Sequence, residues 1–175
     1  MSTRVTTGTV RFSYANVFKP KAIQEGQDPK YSVAILIPKN DKATLAKLEA
    51  AIEEAIEAGK TKFGKYNRAT LKLPLRDGDE ERGDDEAYKG HYFINANSTQ
   101  KPGVVDASLN EIISADEFYS GCYGRASVNF YAFNTNGNKG VAAGLGNLQF
   151  LKDGERLSGG ASAEQDFAED SDDIL

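Results

Sequence analysis

YGRASVNFYAFN, residues 123–134, is the most strand-like run of the chain. Ala126, Val128, Phe130 and Ala132 fall on one side of a period of two; Arg125, Ser127, Asn129, Tyr131 and Phe133 fall on the other. Successive side chains of a strand point to opposite faces, so the first set predicts a core surface and the second an outward one. Working outward, TVRFSYANVF (9–18) reads as a strand with Val10, Phe12 and Tyr14 on one side. YSVAILI (31–37) reads as a central strand, apolar on both faces beyond Ser32 and ended by Pro38. HYFINAN (91–97) is another, and residues 147–151 give a last short one. RATLKLPLR (68–76) alternates with Ala69, Leu71, Leu73 and Leu75 inward, and Pro74 puts it at an edge or ends it early. Between Asn40 and Gly59 the period becomes helical: Leu45, Leu48, Ile52 and Ile56 form one stripe, Asn40 or Asp41 caps the start and Gly59 the stop. Glu49, Glu53, Glu54 and Glu57 fall on its solvated face.

Five or six strands, one helix and long loops predict a mainly β protein, a small barrel or sandwich with an inserted helix. The five-stranded oligonucleotide-binding barrel, the OB-fold, fits this count. At 175 residues one domain plus a tail is the economical organisation. The boundaries expected are 1–157 for the barrel, 158–163 (SGGASA) for a flexible linker and 164–175 for a disordered acidic tail. That tail carries six of the 26 carboxylates and no base, while residues 1–163 hold all 21 Lys and Arg. The formal net charge of -5 is therefore a property of the tail, and the body alone is close to neutral. Phe167, Asp170, Asp172, Asp173, Ile174 and Leu175 combine charge with apolar anchors and are the candidate partner-binding residues.

Several chemistries lose their usual residues. A single Cys122 and a single His91 leave no disulfide framework, no histidine cluster and no Ser-His-Asp arrangement. DGDEERGDDE (77–86) holds seven carboxylates but lacks the alternation and closing Glu of a calcium loop, and reads as a mobile solvated loop. The glycine-rich NTNGNKGVAAGLGN (134–147) lacks the Gly-Lys-Ser/Thr end of a nucleotide loop and reads as a hairpin connection. No apolar run reaches the length of a bilayer span and no signal core opens the chain, so the expectation is an intracellular protein away from membranes. No cofactor or metal is called for, and the chain reads as non-enzymatic.

What remains is a set of aromatics interleaved with bases: Tyr14, Phe18, Lys19 and Lys21; Lys60, Lys62, Phe63, Lys65, Tyr66 and Arg68; His91 and Phe93; Arg125, Tyr131 and Phe133. Single-stranded nucleic acid needs both parts, cations to replace phosphate counterions and flat rings for unpaired bases. KTKFGKYNR (60–68) is the densest local signal, with four cations, two aromatics and no acid. The candidate stacking residues are Tyr14, Phe18, Tyr66, Phe93, Tyr131 and Phe133; the candidate phosphate residues are Lys19, Lys21, Lys60, Lys62, Lys65, Arg68, Lys72 and Arg125. Phe12, Phe130 and Phe150 read as core. The alternative from another class is a non-catalytic protein-interaction or virion component acting through its acidic tail.

FSYANVFKPK (12–21), KYSVAILIPK (30–39), LPLRDGDEE (73–81), GHYFINANS (90–98), FYSGCYGRASVNFYAFN (118–134) and GLGNLQFLKDGERLSGG (144–160) together resemble a family of phage-encoded single-stranded DNA-binding proteins. The resemblance spans nearly the whole chain. It implies an oligonucleotide-binding barrel with the long helix inserted between strands, similar to the single-strand binders of short-tailed coliphages. It also implies coating of single-stranded DNA in phage replication or recombination, in the host cytoplasm, with the acidic tail contacting phage or host replication proteins. Many single-strand binders end in an aromatic residue after the acids, whereas this chain ends in Ile174-Leu175 with Phe167 earlier.

Overall fold

The structure, a computed structural model, describes residues 2–22 and 25–157. The proposed linker and tail, 158–175, lie outside the described residues. Five long strands make the barrel: β2 (Val10–Lys21), β3 (Lys30–Pro38), β5 (His91–Ser98), β7 (Tyr123–Thr135) and β8 (Asn138–Lys152). Short strands β1 (Arg4–Thr6), β4 (Arg76–Asp77) and β6 (Val104–Val105) attach to β7, β5 and β8 respectively. β2, β3 and β5 form an antiparallel meander, β7 pairs with both β2 and β8, and β8 runs parallel to β5. The order β7-β2-β3-β5-β8-β7 therefore closes into a ring, the OB topology.

Helix α1 (Lys42–Ala58) is inserted between β3 and β5. The Asp41 side chain accepts a bond from the Thr44 N–H and caps its start, and Gly59 ends it, as the sequence predicts. Its Leu45, Leu48, Ile52 and Ile56 stripe is buried with Val33, Ile35, Ile94, Val128 and Phe130 in one core. A one-turn helix, α2 (Lys60–Phe63), follows and drives Phe63 into the same core. Phe12 packs on Phe118, ring centroids 5.0 Å apart, at another part of it.

Two segments differ from their sequence reading. The glycine-rich stretch is not a connection: β8 runs without a break from Asn138, and the turn is only Asn136-Gly137, both at positive φ (52° and 86°), the primed hairpin turn that matches strand twist. Gly140 sits in that strand because a Cβ there would meet the Lys72 carbonyl oxygen at 2.3 Å. Residues 68–76 are not a strand with three inward leucines. Arg68–Thr70 is a 3-10 turn, and Lys72 bridges to Gly140. Leu71 is buried, Leu73 is exposed, and only Arg76–Asp77 pair with β5. This strap lies between β5 and β8, which pair directly only at Ala96↔Ala143 and Asn97↔Gly144.

The acidic loop is anchored rather than free, a correction to its reading as mobile. Lys39 Nζ donates to Asp77 Oδ1 and Asp79 Oδ2, each at 2.8 Å. Asp77 also caps the one-turn helix α3 (Gly78–Glu81), and Asp79 accepts the Gly90 N–H. Hydrogen bonding to Lys39 holds both carboxyls below the ordinary aspartate range and raises the Lys39 ammonium. Because the two carboxyls titrate lower in the folded chain, their contribution is complete above the ordinary aspartate pKa. It is lost as pH falls through their depressed values. The Lys39 contribution runs the other way, complete below the ordinary lysine pKa and lost only above it.

Two outcomes follow from this architecture. Phe130→Ala, which empties the middle of the core, is expected to cost about 3–5 kcal/mol in urea unfolding. On acidification below about pH 4, the Gly90 amide should lose hydrogen-exchange protection before the β3 amides do, because its acceptor is the Asp79 carboxylate. Simultaneous loss at both places would contradict the anchor.

Candidate nucleic-acid interface

The sequence-predicted residues separate into two surfaces and a remainder. The first surface is the outer face of β3 and β5. On β2 the register advances by three residues, Ser13 to Asn16, while β3 advances by two, Ala34 to Ser32. This bulge places Tyr14 at φ 48° and turns its ring outward, against its parity with Val10 and Phe12. A non-glycine residue at positive φ is sterically costly, so the barrel holds the ring out at an energetic expense. Tyr14 is 49% exposed.

Arg82 comes from the acidic loop. It makes no ion pair with that loop's carboxylates among the described residues. Instead its guanidinium lies 5.6–6.0 Å from the ring centroids of Tyr14, Tyr88 and Phe93. Tyr88 meets Phe93 edge-on, centroids 5.1 Å apart, and with Ala34, Leu36 and Ala87 they form a small second core on the outside of the sheet. Phe93 is thus on the outer parity the sequence assigned, yet wholly buried beneath Tyr88 and the Arg76 and Arg82 guanidinium groups. A ring with no exposed face cannot stack on a base, which removes Phe93 from the candidate stacking set. Beside this covered patch an open pocket of about 300 Å³ lies between Tyr14 and Arg82, floored by Ser32, Ala34, Asn95 and Asn97. Arg82 and the two asparagines carried no sequence signal beyond their position.

The second surface is the β7–β8 hairpin and the chain that docks on it. Tyr131 stands opposite Ala142, and Phe133 opposite Gly140, so each aromatic on β7 faces a small residue on β8. Tyr131 is 45% exposed and Phe133 half-buried. Lys72 pairs with Gly140 from the other side. Lys62 Nζ donates to the Ala132 carbonyl at 3.3 Å, and Lys139 Nζ donates to the Lys65 carbonyl. Lys65, Tyr66, Lys72 and Lys139 line an open cleft at the hairpin tip.

KTKFGKYNR is less cationic than its composition suggests. Lys60 pairs with Glu57 at 2.9 Å and Arg68 with Glu53, so two glutamates of the supposedly free helix face neutralise two of its four bases. Such exposed pairs are weak and exchangeable, but they leave Lys62, Lys65, Lys72 and Lys139 as the cations without a carboxylate partner here. Phe63 is core, and Tyr66 leans on it with centroids 5.1 Å apart.

The remaining candidates are dispersed. Phe18 is half-buried against the main core with Lys101 Nζ 5.9 Å from its centroid. Lys19 and Lys21 are exposed at the end of β2. Arg125 is exposed but spends its Nε on the Thr7 carbonyl at 2.9 Å. Cys122 is buried, and burial pushes its thiol up to about 11, the opposite of a nucleophile. Among the described residues no group of His, Cys, Asp and Glu is arranged to hold a metal ion. Among those residues no helix is long and apolar enough to cross a membrane.

Known proteins resemble this chain in sequence and fold. The chain is 31% identical over 174 residues to putative protein p50 of Acyrthosiphon pisum secondary endosymbiont phage 1, covering 95% of this chain and 93% of that protein. The single-stranded DNA-binding protein of bacteriophage Enc34, solved in complex with ssDNA, superposes with a TM-score of 0.73 at 27% identity over 89% of each chain. The bacteriophage T7 single-stranded DNA-binding protein gp2.5 shares the fold, with a TM-score of 0.60 at 15% identity over 95% of this chain and 93% of that one. Residues 3–175 match the family described as Enterobacter phage Enc34, ssDNA-binding protein, and the chain belongs to that family.

Proposed function

We propose that this protein coats single-stranded DNA without sequence preference during phage DNA replication and recombination in the host cytoplasm, as a non-enzymatic binder. One observation supports the reading: twice on the same OB barrel an exposed aromatic ring stands beside cations that no carboxylate among the described residues neutralises. Tyr14 with Arg82 is the first place, and Tyr131 and Phe133 with Lys62, Lys65, Lys72 and Lys139 the second. Rings accept any base by stacking, and lysines accept any phosphate, so neither surface demands a sequence. Lys19, Lys21 and Arg125 extend the cationic path, and Phe18 and Tyr66 are partly covered rings at its margin.

The acidic tail, in this proposal, competes with DNA and recruits phage or host replication proteins through Phe167, the Asp170, Asp172 and Asp173 charges and the Ile174-Leu175 end. The end of the described chain supports the competition: Leu157, its last residue, packs against the outer-face cluster of Ala34, Leu36, Tyr88 and Phe93, on the face that carries the Tyr14 pocket.

The test is a salt-series titration with oligo-dT, read by tyrosine fluorescence, of the full chain and a chain ending at Leu157. Affinity should fall steeply with salt, and duplex DNA should bind far more weakly. The shortened chain should bind more tightly at every salt concentration. Tyr14→Ala and Tyr131→Ala should each weaken binding by about 5- to 150-fold, the loss of one stacked base. Absence of binding by both chains at low salt, with partner capture lost on tail removal, would instead favour an interaction protein working through its tail.

A further inference from the structure

Asn95 and Asn97 are two polar residues of β5 for which the fold has no use. They lie on the outer parity, two apart, with Ala34 directly across from Asn95 and Ser32 across from Asn97. Neither amide has a hydrogen-bond partner among the described residues, although both line the pocket between Tyr14 and Arg82. The residues opposite are small, which is what makes the pocket. One strand step away, the same face is filled by Leu36, Phe93 and Tyr88. The sheet therefore changes abruptly from a sealed apolar patch to an open recess. That recess has a ring and a guanidinium plane at its rim and three amphoteric groups on its floor.

We propose that this recess is a base-reading subsite: one unstacked nucleobase packs on Tyr14 and turns its hydrogen-bonding edge to Asn95, Asn97 and Ser32. The inference rests on the single-strand-binding reading above and adds to it the atoms that meet the base edge. Its volume of about 300 Å³ is at the lower end of small-ligand sites, suited to a single ring system rather than a stacked pair. Arg82 lies 5.8 Å from the Tyr14 centroid, among three rings that already include Tyr88 and Phe93, and its flat guanidinium is a second surface for the base to lie against.

Such a site would contact bases without choosing among them. An asparagine amide presents a donor and an acceptor side by side, and half a turn about its last bond exchanges them. The Ser32 hydroxyl, which already accepts a bond from the Asn16 amide at 3.4 Å, is likewise donor and acceptor. The carbonyls and N3–H of thymine, the amine and N3 of cytosine and the amine and ring nitrogens of adenine each find complements on the same floor. Sequence tolerance here comes from the amphoteric character of the floor, with base edges fully engaged. A basic groove with stacking rings alone would leave those edges in water.

The distinction is testable because the tolerance can be removed at one atom. Asn95→Asp keeps the shape of the side chain but can only accept hydrogen bonds. It should favour cytosine, with its exocyclic amine, over thymine, with its two carbonyls. Full-length protein and the variant are titrated with dT, dC and dA oligonucleotides of equal length at low salt, where phosphate contacts keep binding measurable. Thermal melts check the fold of each protein. The wild-type affinities should agree within about threefold. In Asn95→Asp the preference for dC over dT should rise about tenfold. In Asn95→Leu all three should weaken together. An Asn95→Asp protein that melts normally and binds with an unchanged dC-to-dT ratio, or binds none of the three, overturns the subsite. A wild-type protein that binds no oligonucleotide overturns the underlying reading instead.

Discussion

The barrel closes through two residue pairs. β5 and β8 meet in parallel only at Ala96↔Ala143 and Asn97↔Gly144, where small side chains let the backbones approach. Everything else about the molecule adapts to that short seam. The strap of residues 72–77 lies across the remainder, bridging to Gly140 on β8 and pairing with Phe93 and Tyr92 on β5. The strap leads directly into the acidic loop, so closing the barrel also delivers Arg82 and Tyr88 onto the outer face of β3 and β5. The tie from Lys39 to Asp77 and Asp79 then fixes the loop at its root. Closure and site construction are one structural event.

The two candidate surfaces solve the same chemical problem by different means. At the hairpin, Tyr131 stays exposed and Phe133 half-exposed opposite the small Ala142 and Gly140, and the cations come from a segment docked alongside. On the outer sheet face the ring is forced outward by a bulge, and the cation is delivered from a loop that is otherwise acidic. The carboxylates of that loop surround Arg82 in sequence but leave its planar face to the rings. A chain with a net charge of -5 can thus present local cationic surfaces, since charge is read at the distance of a few ångströms and not as a sum.

How much of this was legible in the sequence depended on whether a period ran uninterrupted. Along β7 the alternation holds from Val128 to Phe133, whereas Ser127, read as outward, is buried at a register shift between Ala126 and Val128, where its hydroxyl accepts the Asn147 N–H. Along α1 the stripe, the Asp41 cap and the Gly59 stop all hold. Tyr14 was placed on the inward parity because one extra residue in β2 leaves no trace in a hydropathy pattern. Phe93 shows the opposite failure: the parity was right, but an outward residue is free only if nothing lands on it, and Tyr88 does. KTKFGKYNR reads as four free cations because its sequence does not show that Glu57 and Glu53 of the preceding helix pair with Lys60 and Arg68. Glycines 140, 144 and 146 looked like a loop because composition cannot separate a flexible turn from a strand that must pass close to another backbone. Asn95 and Asn97 had one faint signal, two amides on the outer parity of a strand facing Ser32 and Ala34.

The central claim is that single-stranded DNA is held by the outer face of β3 and β5 together with the β7–β8 hairpin. Backbone amide chemical shifts followed through a titration with a short oligo-dT test it most directly. The account predicts shifts concentrated at Tyr14, Ser32 to Ala34, Asn95 to Asn97 and Tyr131 to Phe133. Shifts confined to α1 and the neighbouring groove of Ala46, Glu49, Ile52 and Leu73, with those strands silent, would contradict it.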